Sequence, residues 1–181
     1  YRIGGSGGKL GGRTLAAVGL TLGLISTSVW LSLGLGMRQA YATYTQSVAA
    51  PMVKYFQAVS GTDPAPVVAI FDASAQPTQA QIDAFRSQLA SQLGTPVGPI
   101  NTLDDAQVTW AMRGSVVGLD ATRQYVSGPL RFEKSLAMVL FRLAPNTPPT
   151  AYFPATGVDQ IIILLPSGQS LKFPDGVEAA R

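Results

Sequence analysis

Thr14 to Met37, TLAAVGLTLGLISTSVWLSLGLGM, is a run of twenty-four residues without a charge, bounded by Arg13 and Arg38. Wound as an α-helix at ~1.5 Å per residue it measures about 36 Å, against about 30 Å for the hydrocarbon core of a bilayer. The run therefore predicts a single-pass transmembrane helix over residues 13–37, long enough to cross with some tilt. It is too long for the apolar stretch of a secretory signal, and no small-x-small cleavage site closes it.

Within the run, small residues fall on two lines. Gly19 and Gly23 form a GxxxG pair, with Ser26 and Trp30 near the same helix face; Ser28, Ser32 and Gly36 form a second line almost opposite. Small residues let two helices approach closely and gain dispersion contacts that lipid cannot match. Both faces are expected to pack against other transmembrane subunits, with membrane lipids around the remainder.

Downstream, Met37, Tyr41, Tyr44, Val48, Pro51, Tyr55 and Ala58 recur at alternating spacings of four and three, which predicts a stalk helix over residues 38–59. Pro51 deletes a backbone donor and crowds the preceding turn, so a kink is expected near Ala50. Tyr41 and Tyr44 suit the aromatic belt of a membrane interface. Together with Val48 and Tyr55 they form an expected stalk interface, directed at other subunits or at the chain's own domain. Upstream, residues 1–12 contain six glycines and are expected to be flexible. Their GGSGGK motif departs from a phosphate loop, since Lys9 is followed by Leu10 and no strand precedes it. The start at Tyr1 suggests either a removed targeting sequence or a preceding extension.

SGTDPAP at residues 60–66 reads as a linker, followed by a small α/β (α+β) extramembrane domain over 67–176 and a frayed 177–181. VVAIFD at 67–72 reads as a buried strand. Thr78 with Gln81 forms a capping box for a helix that buries Ile82, Phe85, Leu89 and Leu93 and stops at Gly94. Residues 95–101 read as a connection or a poor edge strand. Thr102, with Asp104 and Asp105, begins a second expected helix ending before Gly118. For Pro129 to Leu143 a helix is favoured, because β-branched residues are few, although SLAMVLF alone also fits a buried strand. Ile161–Leu165 and Gln169–Phe173, flanking Pro166-Ser167-Gly168, predict a C-terminal β-hairpin.

The chain has no cysteine and no histidine. Disulfides, thiolate metal sites, iron–sulfur clusters, Ser–His–Asp catalysis and histidine ligation of haem are thereby excluded. No cofactor of its own is expected, though structural lipid or pigment contacts are compatible with the helix. The net charge of +3 is unevenly spread: residues 1–62 hold five basic residues and no acid, and the rest hold eight basic and ten acidic. The basic third favours anionic headgroups or an acidic partner, and its scattered charges give no nucleic-acid footprint. Asp104 and Asp105, about 100° apart on a helix, do not converge on one ion. Asp72, at the end of the expected strand, is the one carboxylate placed as in an α/β active site, and a turn in FDASAQP explains it as well.

These features predict a non-catalytic accessory or scaffolding subunit of a multi-subunit membrane complex, with a bioenergetic complex favoured. The alternative is a membrane-tethered adaptor or binding domain of a secretion, pilus or envelope transport system. The basic residues flanking the run favour an N-terminus on the cytoplasmic, matrix or stromal side and a periplasmic, intermembrane or lumenal domain.

Overall fold

The structure is a computed structural model that describes residues 9–100, 119–150 and 152–174. The helix expected from Thr102 and the frayed 177–181 lie outside the described residues. The chain divides into two compact units, Tyr1–Thr43 and Tyr44–Arg181.

The first unit is the greater part of α1 (Lys9–Tyr44), which begins four residues before the expected start of the apolar helix. It is long and apolar enough, by length and composition, to cross a membrane, with a mean hydropathy of 1.7 in its best window. Three of its hydroxyls bond back to the helix: Thr21 Oγ1 donates to Ala17 O (2.9 Å), Thr27 Oγ1 to Gly23 O (2.8 Å) and Ser28 Oγ to Leu24 O (2.8 Å). Such back-bonding removes the cost of placing a hydroxyl in apolar surroundings.

The second unit opens with a π-helical turn, Thr45–Ala49, and continues into α2 (Ala50–Ser60). The break expected near Ala50 is this turn. Pro51 has no N–H for the carbonyl of Ser47, four residues earlier, and that carbonyl instead accepts from Phe153 N at 3.0 Å. A π-turn inserts one residue into the helical ladder and so changes which residues face inward. The buried line is accordingly Val48, Ala49, Met52, Tyr55, Phe56 and Val59, advanced by about one residue from the expected stripe, with Pro51 and Ala58 only half-buried. The segment read as a stalk is thus a core helix from Val48 onward, and the domain begins at Tyr44 rather than after the 60–66 linker.

A five-stranded antiparallel sheet follows α3 (Ala65–Val68) and α4 (Gln79–Gln92): β1 (Pro96–Pro99), β2 (Tyr125–Phe132), β3 (Leu136–Leu143), β4 (Val158–Leu164) and β5 (Ser170–Phe173), in sequential order. The domain is therefore α+β. The strand read at 67–72 is replaced by α3 and a turn, because Pro64 and Asp63, whose Oδ1 accepts from Ala65 N at 2.9 Å, start a helical turn. Only Phe71 keeps an extended role, in an isolated parallel bridge to Val158.

The helix favoured at Pro129–Leu143 is instead the hairpin of β2 and β3, paired from Tyr125↔Arg142 to Arg131↔Leu136. The reason is position in the sheet. From Ala137 on, β3 is buried on both faces, so its sequence carries no alternation, and Leu and Met serve there by filling space rather than by propensity. Ala137, Val139, Phe141 and Leu143 enter the main core under α2 and α4, and Met138 and Leu140 pack with Ile162, Leu164, Leu119 and Tyr125 on the other face.

α4 follows its sequence closely: Thr78 N donates to Gln81 Oε1 (2.8 Å), Gln81 N donates to Thr78 Oγ1 (3.3 Å), and Gly94 ends the helix at φ 75°. The C-terminal hairpin is present, turning through Gly168 at φ 82°. Aromatic rings join the layers, Phe56 meeting Phe132 edge-on at 5.5 Å and Phe85 stacking on Phe173 at 4.3 Å.

Since Met52, Phe56 and Val59 are fully buried, a fragment of residues 44–181 is expected to fold and one starting at Asp63 to remain unfolded or aggregate, as judged by amide dispersion in NMR spectra. Phe56→Ala should cost about 3–5 kcal/mol in urea denaturation of the longer fragment.

Candidate functional site

The largest feature without an internal explanation is the surface of α1. Every side chain described from Ala16 to Thr43 is exposed, including Leu20 (69 %), Trp30 (72 %) and Met37 (73 %). A helix that is apolar all round belongs inside something, either a protein interior or a membrane. Among the described residues, nothing in the chain covers it.

At about 100° per residue, Gly19, Gly23, Ser26 and Trp30 fall within a sector of about 60°, and Ser28, Ser32 and Gly36 lie across the helix. All seven are exposed, and a Cβ added at Gly19, Gly23, Gly34 or Gly36 would meet no atom within 4 Å. The first sector is therefore a line of small residues, with nothing of the chain within 4 Å of a Cβ at Gly19 or Gly23, ending at the exposed Trp30. Of the residues expected to form a stalk interface, Tyr41 is exposed, whereas Tyr44, Val48 and Tyr55 turn into the chain's own domain. Tyr44 OH donates to Pro129 O (3.1 Å), and its ring occupies the space that a Cβ at Gly128 would need. Tyr55 packs edge-on against Phe56 and Phe141, and burial pushes its phenol well above the ordinary range.

A second constellation was not anticipated from the sequence. Between Arg142 and Leu143 the β3–β4 register shifts, leaving Asp159 as an extra residue. This bulge sets Asp159 beside Arg142, whose Nε donates to Oδ1 at 2.6 Å. Arg123 Nη1 approaches Asp159 Oδ2 (3.8 Å) and Arg123 Nε approaches Asp120 Oδ2 (3.8 Å). Arg142 and Asp159 are about nine-tenths buried, in a chain of alternating charge that sums to zero. The signal was present in the sequence as two charges, Arg142 within the apolar LAMVLFRL and Asp159 beside Gln160 at the start of the apolar IIILL. The pairs tie the bulge of β4 to β3 and to the turn at Asp120, where Thr122 Oγ1 donates to Asp120 Oδ1 (2.6 Å).

The remaining polar clusters are structural as well. Arg86 Nε donates to Val59 O (2.6 Å) at the end of α2, and Lys134 Nζ donates to Ala90 O (2.7 Å) and Ser91 O (3.0 Å) at the end of α4. These cations border a groove of about 400 Å³ and cap helix C-termini, where positive charge is favoured. Asp72 accepts from Ser74 Oγ (2.6 Å) and Ser74 N (3.0 Å), which holds its carboxyl below the ordinary range and makes the turn expected of FDASAQP. Asp120 is lowered in the same way, by Thr122, and Glu133 by Thr95.

No protein-family model, curated protein or solved structure matches the chain.

Asp159→Ala should cost on the order of 3–5 kcal/mol in denaturant titrations, by leaving the buried Arg142 guanidinium without its carboxylate partner and Arg123 with Asp120 alone. Replacing Asp159 and Arg142 together, by Leu and Met, should restore most of that loss. The lowered carboxyls of Asp72, Asp120 and Glu133 predict the acid limb. Their native values lie below the unfolded 3.8 to 4.5, so their contribution is complete above that range and is lost as pH falls through the native values. Asp120→Asn should flatten the fall in Tm with acid, measured from neutral pH downward.

Proposed function

We propose that this chain is a single-pass membrane protein and a non-catalytic accessory or scaffolding subunit of a multi-subunit membrane complex. The observation that carries the reading is the uncovered apolar surface of α1, with small-residue lines on two sides of it. Lipid alone would cover a uniformly bulky helix equally well. Open glycine positions beside an exposed tryptophan gain most from close approach of another helix.

The self-satisfied hydroxyls of Thr21, Thr27 and Ser28 support residence in an apolar medium, where an unpaired hydroxyl is costly. The lack of histidine and cysteine, and the engagement of Arg86 and Lys134 at helix C-termini and of Arg123 and Arg142 in ion pairs, favour a structural role over a chemical one. In this reading the domain covers or bridges neighbouring subunits. Three basic residues before the charge-free run, Arg2, Lys9 and Arg13, against Arg38 and Lys54 after it, favour an N-terminus on the cytoplasmic, matrix or stromal side.

Changing both Gly19 and Gly23 to Leu tests this. The double variant should still sediment with membranes but should lose most of its co-purification with partner subunits in mild detergent. Full co-purification would mean that this face meets only lipid.

A further inference from the structure

Among the described residues the sheet ends on two outer strands, β1 and β5, and their sequences treat the open edge differently. β1 is closed to further pairing: Pro96 and Pro99 have no N–H, and the register shifts between Pro96 and Gly98. β5 contains no proline and pairs with β4 without a shift.

The hydrogen-bond phase of β5 is set by its hairpin. Leu165 N donates to Gln169 O (2.9 Å), and bonded pairs recur at every second residue of an antiparallel ladder, so Leu171 and Phe173 exchange hydrogen bonds with Ile163 and Ile161. Ser170 and Lys172 occupy the alternate positions and direct their N–H and C=O groups out of the sheet, where no described strand pairs with them. The side chains alternate as well. Leu171 and Phe173 are buried on the α4 side, with Phe173 stacked on Phe85, whereas Ser170 and Lys172 are exposed. Lys172 forms no ion pair among the described residues. Beside the edge, a crevice of about 60 Å³ separates α4 from β5, lined by Gln81, Ala84, Phe85, Gln88, Lys172 and Phe173.

We infer that the outer edge of β5 is a strand-addition site for an extended, acidic segment of a partner protein. Main-chain hydrogen bonds to Ser170 and Lys172 hold the segment, and its side chains alternate between the two faces. A residue opposite Lys172 lies on the lysine's face of the sheet, where a carboxylate is favoured. The residues on either side of it point toward α4, where the crevice admits small apolar side chains beside Phe85. A second copy of this chain is the poorer occupant. Two-fold pairing of β5 with itself, centred on Leu171, sets the two Lys172 side chains at diagonal positions on one face, about 7–8 Å apart, where like charges repel. A lysine on an open edge discourages self-pairing in this way. The inference uses the second unit alone and is independent of the membrane reading of α1.

The test is the binding of a fluorescein-labelled peptide, STVEVTS, to the full-length protein in a nonionic detergent, followed by fluorescence anisotropy. Saturable binding is expected, weakened about tenfold by Lys172→Glu, which turns an attraction into a repulsion. The charge-reversed peptide STVKVTS should prefer the Lys172→Glu variant to the unaltered protein. Ser170→Pro deletes an outward N–H without removing a bond to β4, so it should weaken binding by about tenfold at an unchanged Tm. N-methylation of the peptide at its glutamate repeats the backbone test without altering the protein. Absence of saturable binding would overturn the inference, as would equal binding of the two peptides by the unaltered protein. Sensitivity to Lys172→Glu with none to Ser170→Pro or to N-methylation would overturn it too, by reducing the site to a surface charge.

Discussion

One constraint governs the molecule: the contiguous helical segments from Lys9 to Ser60 carry apolar surface along nearly their whole length, and the domain covers only the last part of it. From Val48 onward the inward face is sealed beneath the sheet. From Val18 to Met37, eleven large apolar side chains are half or more exposed. Even at half the usual ~1.5–3 kcal/mol per side chain, leaving them in water forfeits on the order of 10 kcal/mol, comparable with the net stability of a whole domain. That imbalance is why the proposed function is located in the helix and its surroundings.

The change of environment is managed at the junction by a few backbone groups. Pro51 removes one helical donor, the π-turn at Thr45–Ala49 adjusts the facing residues, and the Ser47 carbonyl left over ties down the β3–β4 connection through Phe153. Tyr44 completes the join through Pro129, in a space that only glycine at position 128 leaves free. The helix therefore enters the domain as part of its core.

Where local chemistry decides structure, the sequence was legible. The apolar run, the Thr78–Gln81 capping box, the Gly94 stop and the turn at Gly168 each have a short-range cause, and each is found as expected. Tertiary context overrode the rest. Position in the middle of a sheet erased the alternation that would have marked β3, and the Asp63-Pro64 turn redirected VVAIFD into α3. The inserted π residue widened the buried face, which keeps Val48 and Tyr55 and adds Ala49, Met52, Phe56 and Val59, and so made a core helix of the expected stalk. The Arg142–Asp159 pair depends on a bulge between distant strands, which no local pattern announces. For the seven small or aromatic positions on α1, the structure adds that they are exposed.

Accessibility of α1 in native membranes tests the central claim most directly. Cysteines placed singly at positions 16–37 should resist a water-soluble maleimide that labels Ser87→Cys. After transfer to mild detergent that keeps complexes together, positions 19, 23, 26 and 30 should stay protected while 20, 24 and 31 react with a membrane-permeant maleimide. Uniform labelling of the whole stretch by the water-soluble reagent, before any detergent is added, would contradict the account.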